Sequence, residues 1–311
     1  MSMKDEMKVL IADDIAPSAV KLLQEACYEV DTSKYSPDEL KTRLGHYHVL
    51  VVRSATKVRK DLIDAVEGSN LKMIVRAGVG LDNIDVKYAE SKGIEVRNTP
   101  NSSIGSVAEL VLGHMLSLTR NLHRSNVTMR KGAWPKKEYK GTELFNSTLG
   151  IIGYGRIGRE VGSKANALGM KVQFYEIYNV QDAEDYAQQV DMDTLVSTSD
   201  FITLHVPALP GKPPILGESE FQKMKKGVYV INCARGGVLS EEALLKAIND
   251  GIVAGAGLDV FEKEPPENKA LLENERISFS PHIGANTFEA QERIGNELVE
   301  ILVDLCERRH V

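Results

Sequence analysis

Short apolar runs alternate with helix-like stretches along most of the chain. In the first hundred residues the predicted strands are "KVLIADD", "HVLVVRS", "KMIVRAGVG" and "GIEVRNTP", with predicted helices at 17–25, 60–66 and 86–92. A second series of strands follows: "TLGIIGYG", "KVQFYE", "FITLHVP", "GVYVINCARGG", "AGAGLDV" and "ISFSPHIG". This alternation is typical of parallel sheets with helices on both faces. The pattern therefore predicts an α/β protein with two doubly wound parallel-sheet lobes.

The segment between the two series has apolar residues at helical spacing. It covers residues 103–124, "SIGSVAELVLGHMLSLTRNLHR", and predicts one helix, the longest in the chain. The turn and capping residues at 98–101, "NTPN", predict a hinge before it. The final stretch, "FEAQERIGNELVEILVDLCERR", is amphipathic and is expected to pack back on the first lobe. The predicted domains are residues 1–98, completed by 286–311, and residues 99–285.

A glycine-rich turn opens the second series. Gly153, Gly155 and Gly158 form a G-x-G-x-x-G pattern between a predicted strand and a predicted helix, and Glu176 ends the next strand 18 residues after Gly158. In that context the glycines allow backbone amides to approach a pyrophosphate, and the carboxylate can bind both ribose hydroxyls. A carboxylate there would also repel a 2′-phosphate. We therefore expect NAD rather than NADP, the alternative being a glycine-rich turn in some other α/β protein.

Three chemically active side chains follow later strands of the same series. Arg235 follows "VYVIN", Glu264 lies in "GLDVFEKEPP", and His282 follows "ISFSP". Ligands bind at the carboxyl ends of strands in open α/β sheets. A histidine can take the proton of an alcohol as hydride leaves its carbon, and a carboxylate can orient the ring and stabilise the imidazolium. Taken singly, these residues could instead be a structural ion-pair arginine, a solvated carboxylate and a core histidine.

Composition excludes several other classes. The 311 residues are 42% hydrophobic and 26% charged, as in a soluble globular protein, and no apolar run approaches the ~20 residues of a membrane helix. The three scattered cysteines favour reduced thiols over a disulfide framework or a metal site. With no signal peptide expected at the N-terminus, they predict a cytoplasmic protein. The net charge of −6 argues against general nucleic-acid binding.

The motifs also carry a family resemblance. "NCARGG", "GLDVFEKEPP" and "PHIGA", spaced as they are behind "GYGRIG", resemble the D-isomer-specific 2-hydroxyacid dehydrogenases over nearly the whole chain. "VRSATKV", "RAGVGLDNID", "KGTEL" and "NTPN" are most similar to the phosphoglycerate-oxidising members of that family. The resemblance implies a Rossmann dinucleotide-binding domain and a flavodoxin-like substrate domain. It also implies that the C-terminal serine-sensing domain of longer relatives is absent, since the chain ends soon after its last helix.

The resemblance assigns roles to individual residues. It implies that Arg235 binds substrate, His282 is the acid/base and Glu264 is its partner. Around NAD it implies Val79, Gly153, Gly155, Arg156, Ile157, Gly158, Glu176, Val206, Pro207, Cys233, Ala234, Asp259, His282, Gly284 and Ala285. Around the substrate it implies Arg53, Ser54, Arg76, Gly78, Val79, Gly80, Asn101, Arg235 and His282. One departure is Glu176, where the family more often has aspartate.

Basic residues in the first lobe indicate which charged groups the substrate carries. Arg53 and Arg76 end predicted strands, and the amides of Gly78–Gly80 could form an anion-binding nest. A phosphate in addition to a carboxylate would explain both arginines. The segment 130–140, "RKGAWPKKEYK", has five basic residues against one acid. It is either a solvated loop or, as the family suggests, part of a homodimer interface at 101–140, with Trp134 as an anchor and Lys136 or Lys137 reaching the partner's phosphate site.

The sequence therefore predicts an NAD-dependent dehydrogenase that oxidises 3-phosphoglycerate to 3-phosphohydroxypyruvate, the first step of L-serine biosynthesis. The main alternative is a reductase of glyoxylate, hydroxypyruvate or another 2-keto acid in the same family. A third alternative from another class is an NAD-sensing corepressor built on the same fold, which would predict a long disordered tail. The expected partner is a small phosphorylated 2-hydroxy acid, with no nucleic acid, membrane or metal.

Overall fold

The computed structural model describes residues 7–26, 28–209 and 211–307, with side chains described up to Leu305. The chain divides into two compact units. Unit 1 is Met1–Ser103 with Ala285–Val311, and unit 2 is Ile104–Gly284. Of the three cysteines, Cys233 is a buried free thiol, whereas Cys27 and the side chain of Cys306 lie outside the described residues.

Unit 1 contains a five-stranded parallel sheet. Its strands are β1 (Lys8–Ile11), β2 (Glu29–Asp31), β3 (Val49–Val52), β4 (Met73–Arg76) and β5 (Glu95–Asn98). They lie in the order β2-β1-β3-β4-β5, and every pair is parallel. This is the strand order of the flavodoxin-like doubly wound fold. Because parallel strands end at the same edge, residues that follow β3 and β4 are neighbours there.

Helices cover both faces of this sheet. They are α1 (Pro17–Glu25), α2 (Pro37–Arg43), α3 (Lys60–Ala65), α4 (Val86–Ser91) and, from the end of the chain, α12 (Phe288–Glu307). Local sequence sets some of the boundaries: α2 begins with a capping box between Ser36 and Glu39. Helices α1 and α12 pack closely because Gly295 has no side chain, since a Cβ there would lie 2.7 Å from the Ala19 Cβ. Ile294, Leu298 and Leu302 of α12 are buried in the core with β1, β3 and β4.

Unit 2 contains a seven-stranded parallel sheet. Its strands are β6 (Thr148–Ile152), β7 (Lys171–Tyr175), β8 (Ala187–Gln189), β9 (Phe201–Leu204), β10 (Val228–Asn232), β11 (Val253–Leu258) and β12 (Ile277–Phe279). The order is β12-β11-β10-β9-β6-β7-β8. Successive strands are therefore added toward one side from β6 to β8 and toward the other side from β9 to β12. The point between β6 and β9 is the topological switch point of a Rossmann fold.

The helices of unit 2 form layers on both faces. They are α5 (Ile104–Thr119), α6 (Leu122–Arg130), α7 (Arg156–Ala167), α8 (Met192–Thr198), α9 (Glu218–Lys223), α10 (Glu241–Asn249) and α11 (Lys269–Leu272). One apolar core lies under α8–α11 and a second under α5 and α7. Among the residues that the structure describes, no helix is both long enough and apolar enough to cross a membrane.

The predicted fold class is confirmed, but the single long helix over 103–124 is wrong. Helix α5 ends at Thr119, and Asn121 takes a left-handed conformation with φ of 54° before α6 begins. The Thr119 carbonyl accepts a hydrogen bond from the Thr142 amide at 3.1 Å. The longest described helix is α12, not this segment.

Candidate active site

Arg235, Glu264 and His282 follow three neighbouring strands of unit 2. These strands are β10, β11 and β12, which lie side by side at one end of the sheet. Parallel pairing brings the three carboxyl ends to one edge. Arg235 and His282 are 47 residues apart in the chain, but the order of the strands places the turns that carry them at the same edge of the sheet.

The Arg235 turn is held by the last residue of β10. The Asn232 side chain accepts a hydrogen bond from the Ala234 amide at 3.0 Å and donates one to the Arg235 carbonyl at 2.9 Å. The next residue, Gly236, lies against the β11 turn, since a Cβ there would be 1.7 Å from the Phe261 carbonyl oxygen. The turns that carry Arg235 and Glu264 are therefore in direct backbone contact. Sequence reasoning missed Asn232, although an Asn two residues before a turn amide is a known Asx-turn signal.

His282 and Glu264 form a hydrogen-bonded pair. The His282 Nδ1 lies 2.8 Å from the Glu264 Oε2, and both side chains are about two-fifths exposed, at 43% and 39%. An ionised carboxylate can only accept, so Nδ1 carries a proton in this contact. In the neutral imidazole Nε2 is then left as the acceptor, free to take a proton from a bound molecule.

The backbone turn at His282 is anchored to Asp259. His282 has φ of 54°, and its amide donates to the Asp259 carbonyl at 2.8 Å. The buried Asp259 carboxylate accepts from the amides of Ile283 and Gly284, both at 2.9 Å. A left-handed conformation at a non-glycine residue is uncommon and costs free energy, so it persists only when surrounding contacts hold it. Ala285, at the boundary with unit 1, follows this turn directly.

The predicted dinucleotide turn joins β6 to α7. Gly153 has φ of 95°, and a Cβ there would lie 2.6 Å from the His205 carbonyl oxygen, while one at Gly158 would lie 2.2 Å from the Gly153 oxygen. By contrast, a Cβ at Gly155 would meet nothing within 4 Å. Arg156 is exposed and starts α7, and Ile157 follows it. Gly153 and Gly158 are therefore required by close contacts within the protein. Gly155 instead leaves open space beside the N-terminus of α7, where a pyrophosphate could bind.

Glu176 lies beside this turn. Its Oε1 accepts a hydrogen bond from the Tyr154 amide at 2.6 Å, which fixes the carboxylate at the end of β7. The neighbouring Ile177 and Tyr178 are 86% and 59% exposed. Arg159 of α7 forms salt bridges with Asp182 and Glu184. Sequence reasoning missed Tyr154, whose buried ring stacks on Phe174 at 3.9 Å, because a residue between two glycines gives no burial signal.

The remaining predicted cofactor residues of unit 2 lie at further strand ends. Val206 and Pro207 come after β9, and Cys233 and Ala234 after β10. Burial raises the pKa of the Cys233 thiol, so it is a neutral, unreactive group at physiological pH. Asp259 comes after β11. A Cβ at Gly284 would lie 3.3 Å from the Asp259 Oδ2, so the glycine backbone packs close to this carboxylate. Within the described residues no group of three or more histidine, cysteine or acidic side chains could hold a metal ion.

Unit 1 has its own predicted site residues at the ends of β3 and β4. Val52 pairs with Arg76, so Arg53 and Arg76 leave adjacent strands at the same edge. The Arg53 amide donates to Asp13 at 2.6 Å, and its guanidinium donates to the Asp14 carbonyl at 3.1 Å. Gly78 has φ of 143°, and a Cβ there would lie 1.8 Å from the Arg76 Nη1, so this guanidinium lies across the glycine.

The other predicted site residues of unit 1 include three that lie close to these arginines in the chain and a fourth, Asn101, that does not. Ser54 is exposed, and Val79 and Gly80 are half-buried. The Val79 carbonyl accepts from the Asn98 side chain at 2.6 Å. The Asn101 side chain donates to Glu297 of α12 at 3.1 Å.

Comparison with known proteins shows which family the chain belongs to. Residues 112–284 match the family model described as "D-isomer specific 2-hydroxyacid dehydrogenase, NAD binding domain". The chain belongs to the D-isomer-specific 2-hydroxyacid dehydrogenase family. It is therefore an NAD-dependent D-2-hydroxyacid dehydrogenase, as the motifs predicted.

Individual relatives include enzymes with different names. The chain is 47% identical over 297 residues to a hydroxypyruvate reductase of Thermotoga maritima, covering 94% of this chain and 96% of the relative. It is 43% identical over 308 residues to D-3-phosphoglycerate dehydrogenase of Rattus norvegicus, covering 98% of this chain but only 57% of that protein. The crystal structure of D-lactate dehydrogenase from Aquifex aeolicus complexed with NAD and lactic acid matches with a TM-score of 0.81 at 31% identity, covering 96% and 95% of the two chains.

Proposed function

We propose that this dehydrogenase oxidises 3-phosphoglycerate to 3-phosphohydroxypyruvate, the first step of L-serine biosynthesis. The observation that carries the proposal is the pair of arginines at the ends of adjacent strands β3 and β4, in addition to Arg235. A simple 2-hydroxy acid has one anionic group, which a single arginine can bind. Two further guanidiniums at one sheet edge favour a second anionic group, and a phosphate matches their planar fork.

His282 acts as the acid/base in this proposal. Its Nε2, left as an acceptor by the Nδ1 contact with Glu264, takes the proton of the substrate hydroxyl. NAD, held by the turn between β6 and α7, would supply the hydride acceptor for the carbon that carries that hydroxyl. Glu264 keeps the ring oriented and stabilises the imidazolium that forms. In the reverse direction the imidazolium returns its proton to the carbonyl oxygen.

Arg235 binds the substrate carboxylate and polarises the reacting oxygen. Its turn is fixed by Asn232 and by the close approach of Gly236 to Phe261, so the guanidinium starts from a rigid backbone. A rigid support of this kind saves ordering cost when the substrate binds. The backbone amides of Gly78–Gly80, with Ser54 and Asn101, are proposed to complete the substrate contacts in unit 1.

The cofactor contacts are proposed for the turn between β6 and α7. The amides of Gly155, Arg156 and Ile157 bind the pyrophosphate, and Glu176 binds the adenosine ribose. Val79, Val206, Pro207, Cys233, Ala234, Asp259, Gly284 and Ala285 are the other proposed contacts of NAD.

A second candidate function is the reduction of hydroxypyruvate or glyoxylate. It is favoured by the Thermotoga maritima hydroxypyruvate reductase, which is 47% identical and 96% covered by this chain. The same His282 and Arg235 would serve that reaction. Under this alternative Arg53 and Arg76 have no phosphate to bind.

A substrate panel tests the two candidates. Purified protein is assayed with NAD on 3-phosphoglycerate, glycerate, D-lactate and glycolate, and with NADH on hydroxypyruvate and glyoxylate. The proposal expects the highest kcat/KM among the hydroxy acids for 3-phosphoglycerate. Turnover of hydroxypyruvate and glyoxylate without measurable action on 3-phosphoglycerate would replace it with the second candidate.

We also propose a cytoplasmic homodimer that forms through residues 101–140. Helices α5 and α6 and the segment after them expose five large apolar side chains: Leu116, Leu122, Val127, Met129 and Trp134. Exposed apolar groups clustered in one segment favour association. Lys136 and Lys137 are both exposed beside them, and one of the two is proposed to reach the partner's phosphate site. Light scattering of the purified protein and of Trp134→Glu tests this: a dimer that weakens in the variant is expected, and a monomeric wild type would refute it.

A further inference from the structure

A buried histidine lies behind the turn that carries His282. His114 is on α5 and is 4% exposed. Its Nδ1 is 3.0 Å from the Ser278 Oγ, and its Nε2 is 2.9 Å from the Ser280 Oγ. Both ring nitrogens are thus engaged by hydroxyls of the segment that contains β12. The mechanism above assigns this imidazole no role.

The strand beneath makes room for the ring. Gly257 of β11 lies directly under His114, and a Cβ at Gly257 would be 2.6 Å from the His114 Cβ and 2.9 Å from its Cγ. Any other residue at 257 would displace the histidine. The imidazole is therefore fixed by packing on one side and by two hydrogen bonds on the other.

A chain of hydrogen bonds leads from His114 to the His282 turn. The Ser280 Oγ donates to the Asp259 Oδ1 at 2.6 Å. The same carboxylate accepts from the amides of Ile283 and Gly284. These amides flank the left-handed turn of His282 on its C-terminal side. The Asp259 carboxylate is thus the link between the buried histidine and the proposed acid/base.

The proton positions along this chain follow from donor counting. A serine hydroxyl has one hydrogen, and that of Ser280 goes to Asp259, because an ionised carboxylate can only accept. Toward His114 the Ser280 oxygen must then accept, so Nε2 carries the proton. In a neutral ring Nδ1 accepts, so the single hydrogen of Ser278 goes to Nδ1 at 3.0 Å rather than to the Ser117 Oγ at 3.3 Å. Burial lowers the pKa of His114 against the opposing influence of Asp259, which is consistent with a neutral Nε2–H ring.

We propose that His114 is a positioning residue for the reaction. Its Nε2–H donates to Ser280, which in turn holds the Asp259 carboxylate where it anchors the His282 turn. This inference rests on the proposed function, in which His282 is the acid/base. Loss of the Nε2–H leaves Ser280 free to rotate away, so the turn samples conformations that misalign His282. A small misplacement of a reacting group lowers kcat while leaving KM nearly unchanged.

Two amide substitutions form a matched pair. In His114→Gln the terminal amide lies near the position of Nε2 and can still donate to Ser280. In His114→Asn the shorter amide lies near the position of Nδ1 and cannot reach Ser280. The two variants remove the same ring and carry the same charge. We expect kcat within about twofold of wild type for His114→Gln and about tenfold lower for His114→Asn. The KM for the hydroxy acid should stay within about twofold of wild type in both variants.

Two further measurements keep the test decisive. Nitrogen-15 NMR of histidine-labelled wild type should show His114 as the neutral Nε2–H tautomer. Should His114→Asn not fold, Ser280→Ala breaks the same link and should also lower kcat about tenfold. Where both fold, the double variant should be no slower than either single one, because both remove the same link.

Wild-type kcat in His114→Asn, equal losses in the two amide variants, or an Nδ1–H tautomer would overturn the inference. His282→Asn, assayed in parallel on the preferred substrate, separates this from failure of the proposed function. If His282→Asn is inactive and the His114 variants are normal, only the positioning role fails. If His282→Asn retains turnover, the acid/base assignment itself is wrong.

Discussion

The carboxylate of Glu264 lies 2.8 Å from the Nδ1 of His282, although the two residues are on different turns and follow different strands. Because β11 and β12 are adjacent and parallel, their turns meet at one edge of the sheet. The contact leaves Nε2 as the ring nitrogen that can accept a proton. In the proposed reaction Glu264 would also give the imidazolium a negative partner.

Removal of the proposed acid/base should abolish most turnover but not cofactor binding. His282→Asn is expected to lower kcat by roughly 10²–10⁴, the usual contribution of a general acid/base. The Kd for NADH, measured by fluorescence titration, should change little, since the dinucleotide turn lies at β6 and α7. Near-wild-type turnover in this variant would show that another group moves the proton.

Glu264→Gln should slow the reaction through its effect on His282. A neutral amide gives the imidazolium no negative partner, so kcat should fall by about tenfold or more while the KM for the keto acid changes little. Steady-state kinetics of wild type and variant on the same keto acid test this. A wild-type kcat in Glu264→Gln would mean that Glu264 does not act on His282.

Glu176 should enforce the choice of cofactor. NADP is expected to be used at least about tenfold less well than NAD, which is roughly 1.4 kcal/mol of discrimination. Glu176→Ala should narrow the gap, because it weakens ribose binding in NAD and removes repulsion on the 2′-phosphate. Arg159 cannot compensate readily, since Asp182 and Glu184 hold it. Steady-state kinetics with both cofactors decide the matter, and equal use of NAD and NADP by the wild type would refute the assignment.

Two glycines of the dinucleotide turn should respond differently to alanine. Gly158→Ala would put a Cβ 2.2 Å from the Gly153 oxygen, so it should destabilise the protein by about 2 kcal/mol even without cofactor. Gly155→Ala meets nothing within 4 Å in the protein, so its unfolding midpoint should match wild type. Its Kd for NADH should nevertheless rise about tenfold or more, because the methyl would lie in the space proposed for the pyrophosphate.

Thermal unfolding without cofactor and NADH titration separate these effects. A Gly155→Ala protein with unchanged NADH affinity would mean that the pyrophosphate binds elsewhere.

Local signals explain why much of this architecture was predictable. The apolar runs at β6, β9 and β10 are buried in the sheet, and the glycine turn at 153–158 is a short-range motif that needs no tertiary partner. The strands β2 and β8 have three residues each and no long apolar run, and the sequence does not predict them because they depend on pairing with β1 and β7.

Tertiary contacts also account for the remaining differences. The apolar periodicity continues past Thr119, so nothing in it signals the end of α5. The break occurs where the Thr142 amide bonds to the Thr119 carbonyl and Asn121 turns left-handed. Likewise, the motifs predicted His282 and Glu264, but only the fold supplied the Asn232 and Gly236 contacts that hold the Arg235 turn.

The substrate proposal depends on Arg53, and its effect is measured as a ratio. The kcat/KM for 3-phosphoglycerate is divided by that for glycerate, at saturating NAD, in wild type and in Arg53→Ala. Charge-assisted contacts to a phosphate on the order of 3 kcal/mol predict a wild-type ratio of at least about one hundred. Lys57→Ala, on the same loop and with its amine on the Ser54 carbonyl, is the matched control for loss of one positive charge.

The most direct test of the account is therefore this ratio in the three proteins. We predict a high ratio in wild type and Lys57→Ala, and a sharp fall in Arg53→Ala caused by weaker use of 3-phosphoglycerate with glycerate nearly unchanged. Comparable efficiency on the two acids in the wild type would contradict the phosphoglycerate proposal, and equal impairment of Arg53→Ala on both acids would show that Arg53 binds no phosphate.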